Sequence, residues 1–220
     1  MAFFIPKLME FIPKEINNYS LTHTEEEPKL LAELNRETWA NVMTPRMLSG
    51  HLQGRILSMF SKMVSPKNII EIGTYTGYSA LCMAEGLQDD GELHTLDINE
   101  EYTSIAKRYF DRSKYAKNIK QHIGHALNII PTLECNFQLA FIDADKENYS
   151  AYLDLIADKI DLYGYIIADN VLWNGKVTQK EKDKETEALD LYNKKVLADV
   201  RFETILLPVR DGLMVSRKIK

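Results

Sequence analysis

The sequence predicts an α/β protein with a doubly wound sheet, mostly parallel with an antiparallel last strand, and with helices on both faces. Buried-strand patterns alternate with helical patterns along most of the chain. One of these units, Asn68 to Ser79, reads as strand, glycine turn and helix start. Near the carboxyl terminus, Asp211-Gly212 separates two strand patterns, which indicates a hairpin.

Composition limits the classes of protein. With 45% hydrophobic and 27% charged residues, the chain is typical of a soluble globular protein, and we expect one domain over residues 1–220, with N-terminal helices at 1–64 and a Rossmann-like core at 65–220. The net charge of −5 gives no basic field for nucleic acid or for an anionic membrane. The two cysteines, Cys82 and Cys135, lack C-x-x-C spacing, which favours a reducing, cytoplasmic setting. Prolines and charges interrupt residues 1–16, so we expect neither a signal peptide nor a membrane span there.

The first elements are helical. Residues Lys7 to Asn41 have the pattern of one or two amphipathic helices, and Met47 to Val64 that of another, with Pro45 between them. These helices could cover the sheet, form a lid over a cavity or supply a subunit contact, and the sequence does not choose.

The unit at residues 68–79 organises the rest. Asn68 to Ile72 reads as a strand buried on both faces, and Gly73 ends it. Gly77 permits a sharp turn, and Tyr78 opens a helical pattern that reaches Leu87. This arrangement places backbone N–H groups around a cavity at the carboxyl edge of the sheet, although an ordinary strand–helix turn is the alternative. The dinucleotide fingerprint G-x-G-x-x-G is absent.

Six further segments have strand patterns: Gly91–Ile98, Ile119–His125, Phe137–Ala144, Tyr163–Asn170, Arg201–Val209 and Leu213–Lys218. Three segments between them have helical patterns: Ala126–Leu133, which Pro131 ends, Tyr149–Ile160, and a stretch that begins in the mixed-charge run Lys180–Glu187 and continues to Ala198.

Polar residues follow the strand ends, where ligands of α/β proteins bind. Asp97 lies about 24 residues beyond Gly73, near the spacing of an acid that binds a ribose diol, although it could instead stabilise a helix N-terminus. Asp143, Asp169 and Asn170 offer hard oxygen ligands suited to Mg²⁺, Ca²⁺ or Mn²⁺, although each could merely cap a helix.

The two histidines His122 and His125 lie three residues apart and would face opposite sides of a strand. They are a poor metal pair, and we interpret them as structural.

Four motifs together resemble a known family, the cation-dependent O-methyltransferases that use S-adenosylmethionine and act on catechols and caffeoyl-coenzyme A. They are E-I-G-T-Y-T-G-Y-S at 71–79, L-D-I at 96–98, F-I-D-A-D-K-E-N-Y at 141–149 and D-N-V-L-W-N-G at 169–175. Their order and spacing fit the family from about Pro45 to Ser216.

The resemblance implies a class I methyltransferase sheet of seven strands, a phenolic small-molecule substrate and a homodimer. It implies S-adenosylmethionine contacts at these positions: Met47, Ser49, Glu71, Gly73, Tyr75, Ser79, Asp97, Ala126 and Asp143. By the same similarity, Asp143, Asp169 and Asn170 match the metal ligands and Lys146 the proposed general base. Asp145 and Trp173 match positions near the aromatic substrate. Lys146 could alternatively be a surface lysine paired with Glu147 or Asp143.

Two residues depart from the family pattern. His125 stands where relatives often carry an acid or a proline, and Arg210 stands where many carry glycine. Arg210 could face the substrate or the solvent.

Rival functions are a nucleotide-sugar transferase, with Asp143-Ala144-Asp145 as a D-x-D site, and a non-catalytic adenosyl-binding module. Nucleic-acid methylation is disfavoured, because the N/D-P-P-Y/F motif and a basic face are missing.

Overall fold

A computed structural model describes residues 12–220 of the chain. The expectation for residues 1–16, and the beginning of the helical segment predicted from Lys7, therefore lie largely outside the described residues. No helix within 12–220 has the length and apolar character needed to cross a membrane.

Seven strands form one sheet in the order β3-β2-β1-β4-β5-β7-β6. Every pair of neighbours is parallel except those of β7, which runs antiparallel to both β5 and β6. The predicted seven-stranded sheet with an antiparallel last strand is thus confirmed. The strands are β1 (Asn68–Ile72), β2 (Glu92–Asp97), β3 (Ile119–Ile123), β4 (Phe137–Ile142), β5 (Ile160–Ala168), β6 (Phe202–Leu207) and β7 (Leu213–Lys218).

Helices cover both faces of the sheet. Alternate residues of β1 point into different cores: Ile69 packs with residues of α2 to α5, whereas Ile70 packs with residues of α6 to α8. The helices are α1 (Lys14–Thr22), α2 (Lys29–Asn41), α3 (Gly50–Val64), α4 (Tyr78–Ala84), α5 (Glu100–Arg112), α6 (Ala126–Ile129), α7 (Tyr149–Ala157) and α8 (Lys184–Ala198).

The N-terminal half of the chain corrects two predicted boundaries. The helix predicted from Met47 begins three residues later, at Gly50. The φ of Gly50 is +72°, so the helix cannot continue backwards through this residue to Met47. Pro45–Met47 is a separate 3-10 turn. Met47 and Ser49 therefore lie in a loop before α3. The helix predicted from Tyr78 to Leu87 ends at Ala84.

Later boundaries also shift. The strand predicted over Ile119–His125 ends at Ile123, because Gly124 has a φ of +143°. His125 thus precedes α6 in a loop, and His122 bonds to a neighbouring histidine, His94, at 3.0 Å. Pro131 lies within a 3-10 turn that follows α6 rather than ending a helix.

Four more predicted segments have different limits in the structure. The strand predicted over Phe137–Ala144 ends two residues earlier, at Ile142, and the strand predicted from Tyr163 begins at Ile160 and ends at Ala168. Because that strand starts early, the helix predicted to Ile160 ends at Ala157. The last helix begins at Lys184, since the Asp183 side chain caps its first turn by accepting from the Thr186 N–H.

Candidate active site

A cavity of about 1020 Å³ opens at the carboxyl edge of the sheet. It lies where the strand order reverses between β1 and β4, the expected place for a ligand. All the predicted site residues except Glu71 line it: Met47, Ser49, Gly73, Tyr75, Ser79, Asp97, Ala126, Asp143, Asp145, Lys146, Asp169, Asn170 and Trp173. His125 and Arg210 line it as well.

We divide the cavity into two halves. The glycine-turn half consists of residues 73–79 after β1, Asp97 at the end of β2, and 124–126 after β3. The acid-rich half consists of residues 143–146 after β4, 169–174 after β5, and Arg210 between β6 and β7.

In the glycine-turn half, Gly73 is the position that tolerates no side chain. Its φ is +103°, and a Cβ atom there would lie 1.9 Å from the carbonyl oxygen of Asp143. The backbone of the turn can therefore approach the end of β4 closely only if residue 73 is glycine.

Asp97 fastens the turn to the end of β2. One carboxylate oxygen accepts from the Tyr75 N–H at 2.7 Å, and the other accepts from the Asn99 N–H at 2.9 Å. The cap of α5 is Asn99, whose side chain accepts from the N–H groups of Glu101 and Tyr102. Asp97 therefore lies beside the N-terminus of α5, as the alternative to a ribose contact supposed, and it also lines the cavity, so its ribose contact stays a prediction.

Glu71 lies beneath the cavity rather than in its wall, so its contact with S-adenosylmethionine stays a prediction. Its side chain is fully buried, and its Oε2 accepts from the Thr95 hydroxyl at 2.5 Å. Burial, with added repulsion from Asp143 and Asp97, raises the pKa of Glu71 to about 8. We infer that this carboxyl is protonated at neutral pH and supports the turn from below.

In the acid-rich half, pairing of the strands brings the predicted ligands together. Ile142 is in parallel register with Ala168, so that Asp143 and Asp169, the residues that follow, lie side by side. Asn170 comes next, with a φ of +58°. Burial and the charge of Asp143 raise the pKa of Asp169.

Lys146 lies between these oxygens and is buried, not on the surface. Its Nζ donates to Asp143 Oδ1 at 3.0 Å, to Asn170 Oδ1 at 2.8 Å and to the Tyr149 hydroxyl at 2.7 Å. The ammonium also lies 5.7 Å from the centre of the Trp173 ring. Lys146 therefore does pair with Asp143, as the surface-lysine alternative supposed, but this pair lies inside the cavity and not on the surface.

Sequence reasoning missed Gln53, a buried residue of α3. Its Nε2 donates to Asp169 Oδ2 at 2.5 Å, while Asp169 Oδ1 accepts from the Asn170 N–H at 2.7 Å. A glutamine on the buried face of an amphipathic helix is the signal that could have revealed it.

Asp145 and Trp173 differ in their surroundings. Asp145 accepts from the Tyr152 hydroxyl at 2.5 Å and also bonds to Asn148, so its carboxylate points away from that of Asp143 and does not form a D-x-D pair with it. The indole N–H of Trp173 is buried and, among the described residues, has no hydrogen-bond acceptor.

The donor set fits a divalent cation. Asp143 and Asn170 already share one cationic group, the Lys146 ammonium, and Asp169 contributes a second buried carboxylate. Hard oxygen donors of this kind suit Mg²⁺ or Mn²⁺. Within residues 12–220, no three His, Cys, Asp or Glu side chains come together as a metal cluster, so the predicted set reaches three ligands only through the amide of Asn170.

Comparisons with known proteins identify the family of the chain. The O-methyltransferase family profile matches residues 21–219. Caffeoyl-CoA O-methyltransferase of Petroselinum crispum is 34% identical over 206 residues, covering 88% of this chain and 85% of that protein. The corresponding enzyme of Mesembryanthemum crystallinum is 35% identical over 88% of this chain and 81% of its own length.

Solved structures share the fold over nearly the whole chain. The SAH-bound Podospora anserina methyltransferase PaMTH1 superposes with a TM-score of 0.86 at 28% identity, covering 97% of this chain and 99% of that one. The O-methyltransferase from Bacillus cereus in complex with SAH has a TM-score of 0.86 at 25% identity, with 93% and 97% covered. The chain therefore belongs to the O-methyltransferase family and is an S-adenosylmethionine-dependent O-methyltransferase of the caffeoyl-CoA O-methyltransferase type.

Proposed function

We propose that the enzyme transfers the methyl group of S-adenosylmethionine to a hydroxyl of a catechol-type phenol, with a divalent cation held by Asp143, Asp169 and Asn170. The observation that carries the proposal is the position of Lys146, whose ammonium joins Asp143 to Asn170 in the same cavity as the glycine turn. The divalent cation and the sulfonium of S-adenosylmethionine would then bind in the same cavity.

The glycine-turn half would bind the donor. Asp97 retains lone pairs for ribose hydroxyls after accepting the Tyr75 and Asn99 N–H groups. Ala126 and His125 line the wall that follows β3, where the adenine would lie. Such fixed contacts hold the sulfonium methyl in line with the attacking oxygen, which supplies much of the acceleration of a displacement.

The acid-rich half would bind the acceptor. When bound, the cation would act as a Lewis acid that favours the phenolate and fixes both neighbouring hydroxyls. Lys146, in its neutral form, would accept the phenol proton, and the Tyr149 hydroxyl at 2.7 Å holds the amine in place. The Trp173 side chain, which lines the cavity, would contact the aromatic acceptor.

The remaining parts of the proposal concern partners. We infer a small-molecule phenolic substrate and a homodimer, and we infer no nucleic-acid substrate, because the chain carries a net charge of −5.

The deciding experiment is methyl transfer to a catechol measured with and without a chelator. We expect EDTA to abolish turnover and excess Mg²⁺ or Mn²⁺ to restore it. In a parallel experiment, the Kd for S-adenosylmethionine measured in EDTA should change little, because Asp143 is the one proposed metal ligand that also belongs to the predicted donor contacts. Full turnover in EDTA would overturn the metal site but not the family assignment.

A further inference from the structure

The arginines of the chain divide into two groups. Five form ion pairs with carboxylates: Arg55, Arg108, Arg112, Arg201 and Arg217. Among the described residues, Arg36, Arg46 and Arg210 form none, and two of these three, Arg46 and Arg210, line the active-site cavity. An arginine that the fold leaves without a counter-ion at a ligand cavity is available for an anionic ligand.

Arg210 is held firmly by its backbone. It has a φ of +49°, in the left-handed region that an arginine rarely adopts. Its neighbour Asp211 fixes the loop, because the Asp211 carbonyl accepts from the Leu172 N–H at 2.9 Å and its carboxylate accepts from the Asn174 N–H at 2.5 Å. The position of residue 210 beside the cavity is therefore set by the fold.

The guanidinium of Arg210 keeps most of its donors unused. Within residues 12–220, its one hydrogen bond runs from Nη1 to the Leu48 carbonyl oxygen at 3.2 Å. A guanidinium has five N–H groups in a planar fork that matches a carboxylate. The Leu48 bond leaves the other edge of the fork for a ligand.

Arg210 lies in the acid-rich half, although its bond to Leu48 also brings it beside the predicted donor contacts Met47 and Ser49. The β6–β7 loop that carries Arg210 adjoins the end of β5, whereas Gly73 follows β1 and Asp97 ends β2 on the other side of β4. The next residue, Asp211, lines the cavity as well and bonds to the N–H groups of Leu172 and Asn174, so the loop lies against the segment that follows β5. A group bound by Arg210 would therefore belong to the acceptor.

We propose that Arg210 is an anion subsite that recognises a carboxylate on the phenolic acceptor, so that the preferred substrate is a free dihydroxyphenyl acid. This inference rests on the function proposed above. Esterification removes the carboxylate, and the phosphates of a coenzyme A ester lie far along the chain from the aromatic ring. A carboxylate close to the ring is the anion that a residue beside the metal ligands can reach.

The test compares three acceptors with the same ring: 3,4-dihydroxycinnamic acid, its methyl ester and its coenzyme A thioester. For wild-type enzyme loaded with Mg²⁺, we expect kcat/KM for the acid to exceed that for the methyl ester. In Arg210→Gln, the ratio of these two values should fall about 10- to 100-fold, the effect of losing a hydrogen bond between charged groups. Arg210→Lys should retain part of the ratio. Arg210→Gly, which suits the φ of +49°, should reproduce the glutamine result without backbone strain.

The matched control is Arg36→Gln, which removes the same charge from an exposed arginine of α2 that does not line the cavity. It should leave both the ratio and the rates as in wild type. Arg46→Gln removes the other unpaired arginine of the cavity and should change the ratio less than Arg210→Gln.

Five results would contradict the proposal. Equal losses with acid and methyl ester would mean that Arg210 is structural. A fall in kcat/KM of Arg210→Gln with the coenzyme A thioester alone would mean that Arg210 binds a phosphate of coenzyme A. A tenfold weaker Kd for S-adenosylmethionine in Arg210→Gln would assign it to the donor's carboxylate. A larger fall in the acid-to-ester ratio of kcat/KM for Arg46→Gln than for Arg210→Gln would assign the subsite to Arg46. Wild-type enzyme that methylates none of the three acceptors would refute the proposed catechol function itself, and the subsite with it.

Discussion

The glycine-turn half and the acid-rich half of the cavity both use left-handed backbone, but with different residues. In the first half, the residues with positive φ are three glycines and one tyrosine: Gly73, Gly77, Gly124 and Tyr75. In the second half, all of them carry larger side chains: Asn170, Trp173, Asn174 and Arg210. A left-handed residue other than glycine is strained and is kept only where its surroundings fix it.

This difference separates two tasks. In the glycine-turn half, the backbone of the turn packs directly against the backbone at the end of β4, and a side chain would prevent this. A Cβ atom on Gly73 would lie 1.9 Å from the Asp143 carbonyl oxygen. The acid-rich half needs side chains aimed at one point, and the left-handed positions aim them. We therefore expect changes in the first half to affect folding and donor binding, and changes in the second to affect turnover and acceptor choice.

The largest expected effect is in the acid-rich half. Lys146→Ala should lower kcat about 10²- to 10⁴-fold, because it removes the proposed general base, while the Kd for S-adenosylmethionine changes less than about twofold. Stopped-time methyl-transfer assays and calorimetry measure the two quantities. Lys117→Ala, at an exposed lysine far from the cavity wall, is the control. Wild-type turnover in Lys146→Ala would refute the base assignment.

The next effect lies in the glycine-turn half. Gly73→Ala should lower the free energy of unfolding by at least about 3 kcal/mol, because the new Cβ would overlap the Asp143 carbonyl. A fall in Tm of roughly 6 to 12 °C should accompany it. Gly50→Ala controls for the left-handed backbone alone, since φ is +72° there and the nearest atom to a Cβ is 3.9 Å away. Equal destabilisation by both variants would contradict the close-approach explanation.

A smaller effect should come from Gln53, which supports Asp169 from α3. Gln53→Leu leaves a buried carboxylate oxygen without its donor, so we expect the Mg²⁺ concentration for half-maximal activity to rise about tenfold or more. A metal titration measures it, and Gln88→Leu, at an exposed glutamine, is the control. An unchanged midpoint would mean that Gln53 serves packing only.

The smallest effect concerns Glu71 and pH. Because the folded-state pKa is about 8 and the ordinary value is 4.5, the native protein holds a proton in this window that the unfolded chain releases. Stability should therefore be highest below about pH 4.5 for this group and decline as pH rises towards 8, by at most about 1.4 kcal/mol per pH unit. Glu71→Gln should remove that part of the slope.

Urea unfolding at pH 5, 6.5 and 8 would test the role of Glu71, with Glu134→Gln at an exposed site as the control. Parallel pH profiles for wild type and Glu71→Gln would show that Glu71 is ionised in the folded protein.

The two halves also differ in how far the sequence predicts them. Glycines and buried strands leave a pattern in the chain, so the turn at Gly73, the strand ends at Asp97 and Asp143, and the antiparallel last strand could be predicted. Gln53 could not, because its partner Asp169 lies 116 residues away and only the folded chain brings them together. For Glu71, the family resemblance predicts a contact with S-adenosylmethionine but not that the side chain is fully buried, which follows from its place in β1.

Arg210 lies between these cases. The sequence marked it as a departure from the family pattern but could not say which way its side chain points, since a left-handed arginine has no local signature. In the folded chain, Arg210 lines the cavity and its guanidinium donates to the Leu48 carbonyl oxygen.

The most direct test of the account is anomalous diffraction from crystals grown with Mn²⁺ and S-adenosylhomocysteine. We expect one manganese peak at about 2.1 to 2.3 Å from oxygens of Asp143, Asp169 and Asn170, beside a nucleoside whose ribose contacts Asp97. Density for the nucleoside without a manganese peak between those three side chains, or with manganese bound elsewhere, would contradict the account.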